Sequence, residues 1–347
     1  MTETTDRTTD LKVGVLSFAH IHAGGFARQL AAMDGVEVLT SDPDTDLAAP
    51  GEVRGKEFAA HLGVGYVDTY EELFAWGPDK VVVCAENVRH RPLVERAAAH
   101  GVDVLCEKPL ATTREDGAAM VEACRAAGVR LAVAHPVRFS PAYLAVRDAV
   151  RAGTAGAVLA VAGANNGYMP GARRRWFVDP RLAGGGALMD HTVHVVDLLD
   201  DLFEASAVTS VYAQTNNVLY EAEGDVPVET AGLLTLTYAN GAVLTLDCSW
   251  SQPRHHPAWG GLSMQVVGER AVLEMNAFDQ KVFGFDERGR GGVEIPYGVD
   301  LDRLMLRAFL FGEGVVGVTD GAAGLRAVRV VSAAYESART GCVVRVD

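Results

Sequence analysis

The stretch Val102-Asp103-Val104-Leu105-Cys106-Glu107-Lys108-Pro109-Leu110-Ala111 is the one around which the rest of the chain is organised. Its first four residues read as a short buried strand, and the strand end carries a carboxylate, an amine and a proline in succession. Proline fixes φ and lacks an N–H donor, so the backbone leaves the strand in a set direction. Ligands of open α/β sheets bind at the carboxyl ends of the strands. Lys108 is therefore either placed for chemistry there or simply exposed to water.

The residues on both sides of this stretch alternate between apolar runs and helical patterns. The expected strands cover residues 11–17, 36–40, 65–67, 80–85, 102–105 and 129–134. The expected helices between them cover residues 23–33, 52–62, 70–76, 91–100 and 113–127. Strands that alternate with helices in this way predict a parallel, doubly wound sheet over residues 11–135, with all strands ending at the same edge.

Beyond residue 135 the pattern changes to strands joined by turns. Helices are expected over residues 141–151, 187–202, 301–311 and 324–337. Strands are expected over residues 158–168, 229–238, 242–250, 264–267, 272–276, 281–285, 293–296 and 343–346. Asn240-Gly241 between two apolar runs is a strong hairpin signal. Residues 136–347 are thus predicted to form an α+β domain with a large, mostly antiparallel open sheet.

Length and composition are typical of a globular protein with two domains. The chain has 347 residues, of which 49% are apolar and 22% charged. A net charge of −14 disfavours nucleic acid and acidic membrane surfaces as partners, and no apolar run approaches the ~20 residues of a membrane span. Residues 1–10 are polar and predict a disordered tail rather than a signal peptide. Five scattered cysteines without a CxxC pair favour a reducing, cytoplasmic location.

A glycine run, Gly184-Gly185-Gly186, opens a helix that carries polar side chains. Asp190, His194 and Asp197 follow at spacings of four and three residues, which places them on one helical face. Asp190 is expected to share a proton network with His194, while His191 points elsewhere. The alternative is a polar face toward solvent. The helix is apolar nearly all round, however, and polar groups on a buried helix need partners or a function.

The turn after the first strand departs from the G-x-G-x-x-G pattern of nucleotide-binding turns. Ser17-Phe18-Ala19-His20-Ile21-His22 places Ser17, Ala19 and His22 at the glycine positions. Small side chains at the first two positions keep room for a phosphate, whereas His22 crowds the packing of the helix on its strand. Asp42 ends the second strand, in the place of the acid that binds the adenosine ribose. The alternative for Asp42 is an ordinary turn aspartate.

These segments carry a family resemblance. The chain resembles the glucose–fructose oxidoreductase, inositol dehydrogenase and rhizopine-catabolism family of NAD(P)-dependent oxidoreductases, from about residue 12 to the C-terminus. The most specific match is Glu107-Lys108-Pro109-Leu110-Ala111, similar to the family's E-K-P signature. The second is Gly184-Gly185-Gly186-Ala187-Leu188-Met189-Asp190-His191-Thr192-Val193-His194, similar to its GGG-x-L-x-D-x-G-x-H segment. Supporting matches are Asn87, His90 and Arg138-Phe139.

The resemblance implies a Rossmann domain followed by an α/β domain whose open sheet makes the contacts of a homodimer or homotetramer. It implies hydride transfer between the nicotinamide of NAD, with NADP less favoured, and a hydroxyl or keto carbon of a sugar, cyclitol or related polyol. By the same resemblance, the catalytic residues are Lys108, Asp190 and His194.

The resemblance also implies binding residues, and the chain departs from the family at three points. The expected cofactor-binding residues are Ser17, Phe18, Ala19, His20, Asp42, Glu86, Asn87, His90, Glu107 and Lys108. The expected substrate-binding residues are Arg138, Tyr168, Arg173, Trp176 and His191, and no metal ligand is expected. The missing loop glycines predict weaker cofactor binding. Glu86 stands in place of a usual proline and Thr192 in place of a common glycine, which leaves the substrate open.

Two other functions fit parts of the sequence. Loss of the loop glycines favours a cofactor-binding sensor or pseudoenzyme, against which the intact set of Lys108, Asp190 and His194 argues. His20-x-His22 resembles the metal-binding H-x-H of amidohydrolase barrels and suggests a zinc hydrolase. The histidines that could complete such a site are His90, His135, His191 and His194. Those barrels have eight parallel strands, whereas the second half of this chain reads as antiparallel.

Overall fold

A computed structural model of the chain describes residues 10–172, 174–204, 206–224, 226–253, 256, 258, 260–286, 291–314 and 316–346. The predicted disordered tail therefore lies outside the described residues, apart from Asp10. Within the described ranges, no helix is long and apolar enough to cross a membrane.

The first half of the chain forms a parallel sheet with helices on both faces. Its strands are β1 (Leu11–Leu16), β2 (Val36–Ser41), β3 (Gly65–Tyr66), β4 (Lys80–Val83), β5 (Asp103–Cys106) and β6 (Leu131–Val133). Its helices are α1 (Ala23–Ala31), α2 (Gly55–Leu62), α3 (Tyr70–Ala75), α4 (His90–Ala99) and α5 (Arg114–Ala127). The spatial order β6-β5-β4-β1-β2-β3 is that of a Rossmann sheet, which confirms the predicted fold.

Local sequence signals explain where these elements begin and end. Thr69 starts α3 through a capping box with Glu72, in which each side chain binds the other residue's backbone N–H. Thr113 caps α5 in the same position, and Gly128 ends that helix with φ of 69°, a conformation that favours glycine. The predicted start and stop of this helix are therefore confirmed. The strand order reverses between β1 and β4, so the crevice for a ligand lies at their carboxyl ends.

The second half of the chain builds the other sheet and the helices that cover it. The helices are α6 (Pro141–Arg151), α7 (Pro180–Ala183), α8 (Ala187–Leu202), α9 (Leu301–Phe311) and α10 (Gly321–Thr340). The strands are β7 (Val158–Gly167), β8 (Val208–Asn216), β9 (Ala231–Tyr238), β10 (Val243–Ser249), β11 (Gly260–Gly268), β12 (Val272–Asn276), β13 (Lys281–Asp286), β14 (Gly291–Pro296), β15 (Thr319–Asp320) and β16 (Val344–Arg345). Strands β12-β11-β7-β10-β9-β8-β16 form the sheet in that order, while β13 and β14 pair separately.

This second sheet is antiparallel at every pairing except that of β7 with β10. The hairpin predicted at Asn240-Gly241 joins β9 to β10, and Gly241 has φ of 89°. Side chains alternate along β9 and β10, so one face packs against α8 and the other faces away. The predicted mostly antiparallel open sheet is confirmed.

Two strands were not predicted, and one of them changes the path of the chain. Sequence analysis left residues 208–216 unassigned, yet β8 there is a full strand of the second sheet. Strand β15 pairs antiparallel with β6 and extends the first sheet by one strand. Helix α9, just before it, buries Met305 and Phe309 in the core beside β1. Residues 301–320 thus return from the second sheet to pack on the first.

Candidate active site

The end of β5 delivers a buried lysine to the opening helix of the second half. Lys108 is only 5% exposed, and its Nζ donates to Oδ1 of Asp190 at 2.5 Å. Asp190 lies in the first turn of α8. The structure thus brings together the two segments that carry the family resemblance, at the point where the two halves of the chain meet.

The glycine run before α8 allows this helix to start in a crowded place. The carboxylate of Glu229 accepts the backbone N–H groups of Gly186 and Leu188 at 2.9 and 3.1 Å. Tyr335 donates its hydroxyl to the same carboxylate at 2.8 Å. A Cβ at Gly185 would overlap the Tyr335 hydroxyl, and one at Gly186 would overlap the carbonyl oxygen of Glu229. Glycine at these positions therefore lets α8 approach its neighbours and fixes where Asp190 points.

Changing Gly186 to alanine is expected to destabilise the fold by about 3 kcal/mol or more, because the new Cβ collides with rigid backbone. Denaturant unfolding of the purified variant measures the loss. Gly25→Ala in α1 is the matched control, since nothing lies within 4 Å of a Cβ there. Alanine is the better helix former, so the control should gain about 0.5–1 kcal/mol. Equal stability of the two variants would contradict the close approach at Gly186.

Asp190 contacts three side chains, those of Lys108, Trp250 and His191. The partner expected from the sequence was His194. Oδ2 of Asp190 accepts the indole N–H of Trp250 at 3.0 Å and lies 3.2 Å from Nε2 of His191. The expectation that His191 points elsewhere was therefore wrong. Burial alone would raise the pKa of Asp190, but the charges and hydrogen bonds of Lys108 and His191 hold it well below its usual range. Asp190 is an ionised carboxylate that orients Lys108.

His194 lies one helical turn after Asp190 but does not bond to it in the part of the chain that the structure describes. Its Nδ1 lies 3.5 Å from Nδ1 of His135, a residue that sequence analysis considered only for the hydrolase. The expected proton network between Asp190 and His194 is thus corrected to a contact between two histidines. Burial, the positive charge of Lys108 and the neighbouring His135 hold the pKa of His194 well below its usual value. His194 is therefore a neutral imidazole that can accept a proton.

The turn after β1 holds a strained residue and is covered from the second half of the chain. Ser17 stands at the first glycine position with φ of 70°, and Phe18 is fully buried behind it. The carbonyl oxygen of Ala19 accepts the indole N–H of Trp176 at 2.9 Å and Nε–H of Arg174 at 3.1 Å. Trp176 was expected to line a substrate pocket, but it is buried against this turn.

The end of β2 is occupied by an ion-pair network that sequence analysis missed. Arg54 donates through Nη2 to Oδ1 of Asp42 at 2.7 Å and through Nη1 to Oε1 of Glu86 at 2.7 Å. The hydroxyl of Ser17 and the backbone N–H of Gly55 also donate to Asp42, at 3.1 and 3.0 Å. No basic residue directly follows Asp42 in sequence, yet Arg54 reaches it from twelve positions later. Asp42 therefore holds Arg54 instead of presenting a free carboxylate.

Two further cofactor candidates connect structural elements. His90 opens α4, and its two ring nitrogens lie 3.0 Å from the carbonyl oxygen of Pro109 and 3.2 Å from that of Ala85. Burial lowers the pKa of His90, and these contacts tie the E-K-P segment to the end of β4. Asn87 donates its amide to the carbonyl oxygen of Ala183 at 2.9 Å. Both ring nitrogens of His90 thus face backbone carbonyl oxygens, and the observed sheets do not form the barrel of the hydrolase.

The residues expected to bind the substrate lie in different parts of the structure. Arg138 is held by Asp197, whose carboxylate accepts its Nη2–H at 2.6 Å. Tyr168 donates its hydroxyl to the carbonyl oxygen of His256. Arg173 lies outside the described residues. Among the four members of this group that the structure describes, His191 is the one with a contact to a catalytic candidate, Asp190.

The edge of the first sheet fits a polar dinucleotide. A cleft of about 600 Å³ lies beside Asp42. Its other walls include Thr45, Gly51, Lys56, Glu57 and Tyr66. Four buried side-chain atoms at the strand ends have no hydrogen-bond partner among the described residues: Nε2 of His20, Oγ of Ser41, Oε2 of Glu86 and Oδ1 of Asn87. Unpaired buried polar atoms are rare, so they indicate that a polar ligand completes this edge.

Comparison with known proteins agrees with this arrangement. Residues 27–135 match a family model described as an oxidoreductase family with an NAD-binding Rossmann fold, and residues 143–274 match the GFO/IDH/MocA C-terminal domain. The 1,5-anhydro-D-fructose reductase of Ensifer adhaerens is 39% identical over 163 residues, which are 45% of this chain and 49% of that protein. The D-apiose dehydrogenase of Paraburkholderia graminis is 30% identical over 273 residues, which are 76% of this chain and 66% of that protein.

A solved structure shares the whole fold. The crystal structure of GenD2 from gentamicin A biosynthesis, in complex with NAD, aligns with a TM-score of 0.83 and 24% sequence identity. The alignment covers 100% of this chain and 99% of that one. At this level of identity the likeness establishes the fold alone. The chain spans about half of the length of the first relative and about two thirds of the second.

Proposed function

Because the chain belongs to the GFO/IDH/MocA family of oxidoreductases, whose N-terminal domain is an NAD-binding Rossmann fold, we propose that it transfers hydride between nicotinamide and a sugar, cyclitol or related polyol. The observation that carries this proposal is the 2.5 Å ion pair between Lys108 and Asp190, with His194 one turn farther along α8. An amine, a carboxylate and a neutral imidazole at one sheet edge are the groups that alcohol oxidation requires.

Each of these side chains has a separate task in the proposed reaction. His194 accepts the proton of the substrate hydroxyl, which its lowered pKa permits because the ring is unprotonated at neutral pH. Lys108 donates a hydrogen bond to the same oxygen and stabilises the negative charge that develops there. Asp190 orients the ammonium of Lys108 and the ring of His191. When bound, the nicotinamide supplies the carbon that accepts or gives the hydride.

The residues at the end of β2 favour NAD over NADP. Three carboxylates, those of Asp42, Asp44 and Glu86, share the guanidinium groups of Arg54 and Arg89. A 2′-phosphate on the cofactor would add negative charge to a set of side chains in which carboxylates already outnumber guanidinium groups. The adenosine ribose would meet the cleft beside Asp42, whose walls include the carboxylates of Glu57 and Asp68, and ribose hydroxyls can donate hydrogen bonds to carboxylates.

Calorimetry with NADH and NADPH at pH 7 tests this proposal, together with a screen of sugars and cyclitols for nicotinamide reduction. NADH is expected to bind more tightly than NADPH, for the charge reason given above. Tighter binding of NADPH would contradict the role of Asp42 and Glu86. Binding of NADH with turnover of no polyol would contradict the proposed substrate class.

One observation favours the alternative of a sensor. The side chains of Trp176 and Arg174 both donate hydrogen bonds to the carbonyl oxygen of Ala19. Ala19 belongs to the turn after β1, which is expected to bind the cofactor phosphates. A dinucleotide phosphate at the start of α1 would have to share this space with these two side chains. If neither nucleotide binds to the folded protein below about millimolar concentration, hydride transfer fails as a proposal and a sensor for another ligand becomes the better one.

We also propose that the chain forms a homodimer or homotetramer through the outer face of the second sheet. On that face Leu233 of β9 is 60% exposed and Val243 of β10 is 37% exposed. These two apolar side chains share the face with Thr235, Thr237 and Thr245, and such a mixed face of an open sheet fits an interface that a second copy covers. A cytoplasmic location remains a prediction from the scattered free cysteines.

A further inference from the structure

Two histidines and a glutamate converge beside Lys108, and we propose that they bind a divalent transition-metal ion. Nδ1 of His22 lies 3.0 Å from Oε1 of Glu107, and Nδ1 of His20 lies 3.3 Å from the same oxygen. One ligand atom from each residue falls within 4.8 Å of the other two. This inference goes beyond the proposed hydride transfer and does not depend on it.

The fold brings the three side chains together from two strand ends. His20 and His22 belong to the turn after β1, in which the left-handed Ser17 redirects the backbone. Their rings meet edge to face, with centroids 4.4 Å apart. Glu107 follows β5, which is separated from β1 by β4 alone. His22 has no task in the proposed hydride transfer, so its position against the buried carboxylate of Glu107 needs another explanation.

The distances match those between ligands of one metal ion. Bonds of about 2.0–2.2 Å from zinc to nitrogen or oxygen place neighbouring ligand atoms about 3.0–3.5 Å apart. Hydrogen bonds alone account for the contacts less well, because Nδ1 of His20 also accepts the backbone N–H of His22 at 3.3 Å. A nitrogen that accepts this N–H has no proton to donate to Glu107, so it meets the carboxylate oxygen at 3.3 Å without a hydrogen bond. A cation bound by the two atoms would replace the long N–H contact with a metal–nitrogen bond and remove their repulsion.

Within the described part of the chain, the carboxylate of Glu107 forms no ion pair with a lysine or arginine side chain, and its charged neighbours are the two histidines. Its side chain is fully buried, and a buried carboxylate must be paired with a cation. The ammonium of the adjacent Lys108 is held by Asp190, and from Lys108 the backbone N–H alone reaches Glu107, at 3.2 Å. A metal ion held jointly by Glu107 and the two imidazoles would neutralise this carboxylate in place of a protonated His22.

The ligand types select the class of ion. Two imidazole nitrogens and one carboxylate oxygen suit zinc or ferrous iron better than magnesium or calcium. Three protein ligands leave at least one coordination position open. The side chain of His22 is 32% exposed, so an ion can enter from solvent. Asp302 of α9 lies within electrostatic reach of His22 and Glu107. The ion would place positive charge at the phosphate turn that lacks its glycines.

Cobalt(II) binding to the full-length protein, after treatment with a chelator, tests the proposal. Cobalt is expected to bind in a single equivalent with visible ligand-field absorption, and zinc is expected to displace it. His22→Ala should weaken the affinity more than about 100-fold, since loss of a group that only supports a ligand costs about 10–100-fold. His61→Ala is the matched control, because His61 is an exposed histidine in the last turn of α2 and should leave the affinity unchanged.

Two results would overturn the proposal. One is the absence of cobalt and zinc binding below about millimolar concentration by protein that circular dichroism shows to be folded. The other is undiminished affinity in His22→Ala. If that variant does not fold, Glu107→Gln keeps the shape of the side chain and removes its charge. Retained affinity in Glu107→Gln would then overturn the site just as clearly.

Discussion

Replacing Lys108 with alanine is expected to lower kcat at least about 100-fold on the true substrate, within the range that a positioned acid–base group contributes. The ammonium lies 2.5 Å from Asp190 at the carboxyl end of β5, where the substrate oxygen is expected to bind. No other lysine or arginine side chain is seen at Asp190 among the residues that the structure describes. Steady-state kinetics with saturating cofactor measure the loss. A variant that keeps more than about a tenth of kcat would remove Lys108 from this role.

The same variant is also expected to lose stability, which sequence analysis did not anticipate. From its place at a strand end, Lys108 was expected to contribute little to the fold. The structure pairs it with a largely buried carboxylate, and breaking a buried pair typically costs about 3–5 kcal/mol. Asp190 would then keep only Trp250 and His191 as partners, which places the expected loss at the low end of that range. The control is Lys108→Ala combined with Asp190→Asn. It should regain much of the lost stability and none of the activity, which separates catalysis from folding.

Local signals in the sequence were enough to predict the architecture. Periodic apolar residues and a C-terminal stop define a helix without reference to the rest of the chain, and α6, α8 and α9 have the predicted bounds. The E-K-P and glycine-rich segments were enough to recognise the family, which the family models confirm. Their proximity was an inference from that resemblance, and the Lys108–Asp190 contact shows the physical basis for it.

The partners of the site residues could not be read from the sequence, because they come from distant segments. Trp250 reaches Asp190 from the end of β10, sixty positions away. Arg54 reaches Asp42 across a loop with no periodic pattern. A tryptophan or arginine in such places has no local signal that distinguishes it from an ordinary core or surface residue. Only the spatial neighbours of each carboxylate reveal which charges and donors it has.

The missed strands have a similar cause. The apolar positions of β8 are interrupted by polar ones, and its pairing with β9 depends on a partner that lies later in the chain. Strand β15 has two residues and no pattern of its own. It exists because α9 returns the chain to the first sheet, where β6 offers a free edge. The strand propensity of a two-residue segment cannot predict its pairing with a sheet edge formed by residues far away in the sequence.

Replacing His194 with asparagine is expected to lower kcat/KM for oxidation by about 10²–10⁴-fold. The fall of kcat/KM at acidic pH, the acid limb of the pH profile, is expected to disappear. Burial, the charge of Lys108 and the nearby His135 lower the pKa of His194, so the unprotonated base persists to pH values below its ordinary value of ~6.5. The wild-type rate should therefore stay level from neutral pH to below that value and fall only under more acidic conditions, as His194 takes up a proton.

Profiles of kcat/KM against pH for the wild type and the variant measure this effect, with His61→Asn at the protein surface as the control. An unchanged profile in His194→Asn would exclude His194 as the base. His135 is the natural competitor, because its Nδ1 lies 3.5 Å from that of His194 and burial lowers its pKa as well. If the acid limb disappears in His135→Asn and persists in His194→Asn, His135 is the base. If His135→Asn only shifts the limb to higher pH, His135 acts by keeping His194 neutral, since the loss of a neighbour that lowers the pKa of His194 must raise it.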